Sequence, residues 1–196
     1  MSYVLVSLLG DDATAANDAF ARWFEESHRP KASFHDEHPE REAVAAAVRE
    51  TRLALVFGHD GGGSLRGAKG GPPWVDASEF ARIFAGARVW VYACDTRAKA
   101  QEDDLLSFGR QARDGGVAVF AGHCTSITAV PPCSTMPSLR EPVYQAFARA
   151  FRAFLQGQNN AEEIRRAALK GTVVGRSTVL AALPVERDMK SLRVLT

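Results

Sequence analysis

Two stretches of the 196-residue chain end an apolar run on a residue able to do covalent chemistry. In LALVFGHDGGGSL, residues 53–65, five apolar positions and Gly58 lead to His59, Asp60 and the glycines at 61–63. In VWVYACDT, residues 89–96, a similar run delivers Cys94, then Asp95 and Thr96. A thiol near its ordinary pKa is only a few per cent thiolate at neutral pH, so an imidazole that accepts or orients its proton makes it a usable nucleophile. Glycines after the histidine let backbone N–H groups approach an attacked carbonyl, which nominates the amides of Gly61 and Cys94 as oxyanion donors. Taken singly, GHDGGG reads as a flexible turn and Cys94 as a small core hydrophobe. Together, at the ends of two consecutive strand units, they read as a nucleophile and its base.

Elements of regular structure must bring the two together. Residues 3–9, YVLVSLL, read as a buried strand, and residues 13–26 place Ala16, Phe20, Trp23 and Phe24 at helical spacing behind a cap at Asp11 or Asp12. The segment KASFHDEH leads to a helix whose first turn suits Pro39 and whose stripe is Ala43, Val44, Ala47 and Val48. After the His59 strand, Asp76 and Glu79 resemble a capping box for a helix carrying Phe80, Ile83 and Phe84, closed at Gly86. RVWVYA is a second buried strand, EDDLLSFGRQARDGG a helix and VAVFAG a third strand. A helix with Val143, Phe147, Phe151, Phe154 and Leu155 on one side ends at Gly157; another begins near Asn160, and STVLAALPV offers an edge strand. SLRGAKGGPPW and CTSITAVPPCSTMPSLREP read as long functional loops.

Regular alternation of strand and helix predicts an α/β fold, a mostly parallel sheet with helices on both faces, joined by right-handed crossovers in a single domain over residues 1–196. Ligands in such sheets bind beyond the carboxyl ends of the strands, where His59 and Cys94 are expected to project side by side. The 24 basic and 23 acidic residues nearly cancel, which leaves no electrostatic footprint for nucleic acid or an anionic membrane. The opening MSYVLVSLLGDD has neither a basic leader nor an apolar run of spanning length, so a cytosolic protein is expected. Cys94, Cys124 and Cys133 are odd in number and lack CxxC spacing, against a disulfide framework or a zinc knuckle.

FGHDGGG paired with VWVYACDT resembles the caspase-like cysteine peptidases, and YACDT is similar to their bacterial CHAT branch. DLLSFGRQARDGGVAVFAGHCTSI and VYQAFARAFRAFLQGQNNAEEIRRAAL resemble the elements that follow the cysteine in that branch, so the likeness spans about residues 50–170. It implies a caspase-like three-layer sandwich and peptide-bond cleavage by a Cys–His dyad, with Cys94 as nucleophile, His59 as general base and acid, and no metal or organic cofactor. The family usually has glycine directly after its histidine, whereas Asp60 stands here. GHCTSI brings His123 and Cys124 to the place where relatives build the wall of the substrate pocket. The resemblance further implies a protein or peptide substrate and an effector acting with an activating protein partner, as in bacterial antiviral defence modules.

Peptidases of this clan tend to select one charged side chain before the scissile bond. Asp11, Asp12, Asp60 and Asp95 form an acidic set that would favour arginine or lysine, although Asp11 and Asp12 also read as ordinary helix caps. Two other classes remain. An inactive caspase-like scaffold would keep the fold and bind partners. A metal module would draw on His35, Asp36, Glu37 and His38 with His123 and Cys124, but His35 and His38 on an extended segment point to opposite faces. A phosphate cradle at HDGGGSLRGAKGG fails for want of a following GK[ST].

Overall fold

Val4–Leu8, apolar but for Ser7 and wholly buried, form the first strand, β1. Asp11 then caps α1, Asp12–His28, by accepting from the amides of Ala13 and Thr14, while the Asp11 amide donates to the Thr14 hydroxyl. The computed structural model describes residues 2–61, 63–95, 104–123, 137–170 and 185–196, with 94–95, 104–107 and 137–139 as backbone. The chain continues through β2 (Ala32–Asp36), α2 (Arg41–Thr51), β3 (Leu53–Asp60), β4 (Ser64–Arg66), β5 (Val75–Asp76), α3 (Ala77–Ile83) and β6 (Arg88–Asp95). It ends with α4 (Asp104–Asp114), β7 (Val119–His123), α5 (Pro137–Leu155), α6 (Ala161–Leu169), a helical turn at 185–190 and β8 (Leu192–Leu195).

The strands form one sheet in the order β2-β1-β3-β6-β7-β8, with β4 paired to β3 and β5 to β4. All neighbours from β2 to β7 are parallel, and β8 closes the edge antiparallel to β7. The fold is therefore α/β, a mostly parallel sheet between two helical layers. One core joins Leu5, Phe57, Trp90 and Tyr92 to Phe20 and Phe24 of α1 and to Phe147, Phe151 and Phe154 of α5. The other joins Val6, Val56, Val89 and Val91 to Val44 and Val48 of α2, Phe80 of α3 and Phe108 of α4. The chain moves from β1 outward to β2 through α1, then reverses and runs β3, β6, β7 through α2, α3 and α4 on the other face. Constant crossover handedness requires this change of face when the direction reverses. The reversal lies between β1 and β3, and such a switch point leaves a crevice at the carboxyl ends of its strands.

Local signals place most elements where the sequence expects them. Asp76 and Glu79 form the reciprocal capping box of α3, and Asn160 caps α6. Gly157 closes α5 at φ +101°, a conformation that a side chain would strain. Four details differ. KASFHDEH is not a mere approach to α2: Ala32–Asp36 adds to the sheet as edge strand β2, beside β1. Pro39 lies before the cap of α2, which is Glu40, and its carbonyl accepts from the Trp74 indole. The stretch 64–74 is only partly a loop, since Ser64–Arg66 folds back antiparallel on β3. Residues 177–184 of the expected edge strand lie outside the described residues; Val185 begins the helical turn at 185–190, and β8 forms the sheet edge. No helix among the described residues is long and apolar enough to cross a membrane.

Candidate active site

The carboxyl end of β1 supplies Asp11 and the end of β3 supplies His59, so the two meet at the switch point. His59 is almost fully buried, and its Nε2 lies 2.9 and 3.0 Å from the two Asp11 carboxylate oxygens. An ionised carboxylate only accepts, so Nε2 carries the proton in this pair. Asp11 Oδ2 also accepts from the Lys69 amide at 2.9 Å, and Oδ1 accepts from the α1 amides. Partial burial works to raise the Asp11 carboxyl. Hydrogen bonds from His59, Lys69 and Thr14, with the charge of His59, outweigh it and hold the group well below the usual carboxylate range.

β3 and β6 run parallel in unbroken register from Leu53↔Arg88 to Asp60↔Asp95, and within it His59 stands directly opposite Cys94. Neighbouring strands are about 4.8 Å apart. Side chains alternate along a strand, so position 59 shares its face with Leu55 and Phe57, and position 94 shares that same face with Trp90 and Tyr92. Asp60 and Asp95, also opposite one another, fall on the other face, with Val56 and Val91. The rim of two strands thus carries a histidine–cysteine pair on one side and two acidic positions on the other. Asp60 itself is buried.

The remaining candidates are distributed as follows. Gly61 follows β3, but its amide donates to the Ser64 carbonyl at 3.1 Å, and the Arg66 guanidinium donates to its carbonyl at 2.7 Å. The tight return into β4 therefore consumes the Gly61 amide, one of the two donors expected to serve an oxyanion. Asp12 is exposed in the first turn of α1, next to the Asp11–His59 pair. Cys124, Cys133 and Thr96 lie outside the described residues. His35 is not near His123: β1, β3 and β6 separate their strands, roughly 19 Å at ordinary strand spacing. His35 is instead held by α1, with Nδ1 on Asp18 and Nε2 3.0 Å from Glu25. Among the described residues no cluster of three or more His, Cys, Asp or Glu has a metal-holding arrangement.

His123 ends β7 in the interior, 2% exposed, between the rings of Trp90 and Tyr92. Its Nδ1 donates to the Asp188 carbonyl at 3.0 Å, which ties the turn at 185–190 to the sheet. Burial pushes its pKa from 6.5 down to about 4. A base with a lowered folded pKa is protonated first in the unfolded chain, so stability falls as pH drops from about 6.5 to about 4 and this group adds no further slope below. His123→Gln, which keeps an N–H donor, should flatten the pH dependence of the unfolding free energy, measured by urea denaturation, in that window by up to about 1.4 kcal/mol per pH unit. Parallel profiles for the two proteins would contradict the assignment.

In the sequence Asp11 reads only as a helix cap and a specificity residue; its hold on His59 and the Lys69 amide has no local signature. No family model, no curated protein and no solved structure matches this chain, so the site rests on its own geometry.

Proposed function

We propose that the chain is a cysteine endopeptidase that cleaves protein substrates with Cys94 and His59. The observation that carries this reading is the parallel register that sets the two residues opposite each other, on one face, at the carboxyl rim of neighbouring strands. His59 takes the thiol proton as sulfur attacks the scissile carbonyl carbon, and the oxyanion is met by the Cys94 amide at the end of β6. The proton then passes from His59 to the departing amine as the C–N bond breaks, leaving a thioester. Water, deprotonated by His59, opens the thioester, and the proton returns to sulfur. The sequence of steps needs no metal or organic cofactor.

The exposed Asp12 beside the site supports a preference for arginine or lysine before the scissile bond by charge complementarity, whereas Asp60 is buried on the face of the sheet opposite His59. In this reading Cys124 is assigned to the wall of the substrate pocket; His123 is buried between Trp90 and Tyr92. Resemblance to the bacterial CHAT branch supports an effector switched on by a protein partner.

The test is covalent capture by a peptide electrophile ending in arginine, with the modified residue identified by mass spectrometry. Labelling is expected at Cys94 and absent in Cys94→Ala, and an electrophile ending in aspartate should react more slowly. Preferential capture at Cys124 or Cys133 would overturn the site; no capture at any cysteine, with or without candidate partners, would favour a partner-binding scaffold.

A further inference from the structure

Asp11 does more than a helix cap requires. Capping needs only the α1 amides of Ala13 and Thr14, which sit on Oδ1. The other oxygen, Oδ2, accepts from His59 and from the amide of Lys69, a residue 58 positions away on the loop between β4 and β5. That loop is seated by backbone contact. A Cβ on Gly67 would lie 2.0 Å from the Leu9 carbonyl oxygen, and one on Gly10 would lie 2.7 Å from the Ala68 nitrogen. Two glycine backbones therefore touch where the loop crosses the β1–α1 turn, and only glycine fits at either place. At its base the loop is tied by Arg66, which donates to the Gly71 carbonyl at 3.0 Å, and by the Gly71 amide on the Ala68 carbonyl.

We propose that the loop 67–71 is a strap that positions the histidine: Gly67 seats it on Gly10, the Lys69 amide fixes Asp11 Oδ2, and Asp11 holds His59 with its proton on Nε2. Proton exchange with Cys94 then runs through Nδ1. The inference rests on the peptidase reading for its consequence, but the strap itself has a readout of its own. Asp11 and Lys69 are positioning residues and need not touch substrate. Lifting the strap frees Asp11 from one of its fixed donors and lets the imidazole turn.

The experiment is nitrogen-15 NMR of the histidines in the full chain, together with the rate of iodoacetamide alkylation of Cys94 across pH. In the wild type, His59 should give an Nε2–H tautomer with slow proton exchange. Gly67→Ala and Asp11→Asn should convert it to an exchange-averaged signal, slow alkylation by about tenfold or more and change the shape of its pH profile. Pro73→Ala, an exposed substitution in the same connection, should leave both readouts at wild-type values. Lys69→Pro removes the amide donor without touching the Gly67–Leu9 contact and serves if Gly67→Ala does not fold. A wild-type tautomer signal and exchange rate in folded Gly67→Ala or Lys69→Pro overturns the strap. If instead His59→Ala alkylates as fast as wild type, the peptidase reading falls, while the tautomer signal still decides the strap.

Discussion

Replacing His59 with alanine should slow capture of Cys94 by a peptide electrophile by about 10²–10⁴ at neutral pH, the range a positioned general base supplies. The thiol alone is mostly protonated there, and the register gives it one imidazole directly across the β3–β6 ladder. Added imidazole should restore part of the rate in the variant, since it supplies the missing base without the missing geometry. Raising the pH toward the range where a free thiol ionises should narrow the gap between the two proteins. Equal rates at neutral pH would mean that the two residues do not work on one bond. The stability of His59→Ala must be read alongside, because it removes an almost fully buried ring that holds Asp11.

Phe151→Ala should destabilise the fold by about 3–5 kcal/mol, the usual cost of deleting a buried phenyl ring. Phe151 on α5 is fully buried, with ring centroids 4.7 Å from Trp90, 5.7 Å from Phe57 and 5.9 Å from Tyr92. It also meets Phe20 and Phe24 of α1, each at 5.7 Å, so one ring joins both helices to the two central strands. Domains of this size are stable by roughly 5–15 kcal/mol, so the loss is a large share of the total. Urea unfolding followed by tryptophan fluorescence measures it. The same rings floor the face that carries His59 and position 94, so capture of Cys94 should weaken along with stability. A midpoint within error of wild type would mean that the cavity collapses without cost.

Each part of the site was legible to a different degree. The strands around 53–60 and 88–95 announce themselves as runs of buried apolar residues that stop on polar ones, and the helices of both layers as stripes at a spacing of three and four. His59 and Cys94 were found for that reason, since each sits where a continuous apolar run ends. Strand β2 was missed because an edge strand is half exposed, and its residues, with Ser33, His35 and Asp36 among them, lack the apolar continuity of the central strands. Strand β4 was missed because three residues are too few to show a period. Asp11 was recognised as a cap and mistaken in its larger part. Gly61 looked like a free amide because nothing local announces the return of Ser64 onto it.

The amino-acid pattern by itself determined the fold class, the order of most elements, their caps and the two side chains with chemistry at strand ends. These depend on contacts within about one helical turn or along one strand, and neighbours in sequence carry that information. Tertiary structure alone decided that β1 and β3 flank the switch point, that His59 and Cys94 share a register and a face, and that Asp11 and Lys69 close around the imidazole. Those are meetings of residues 35 to 58 positions apart. They follow from which strands pair and on which face each crossover packs, and no local period encodes that choice.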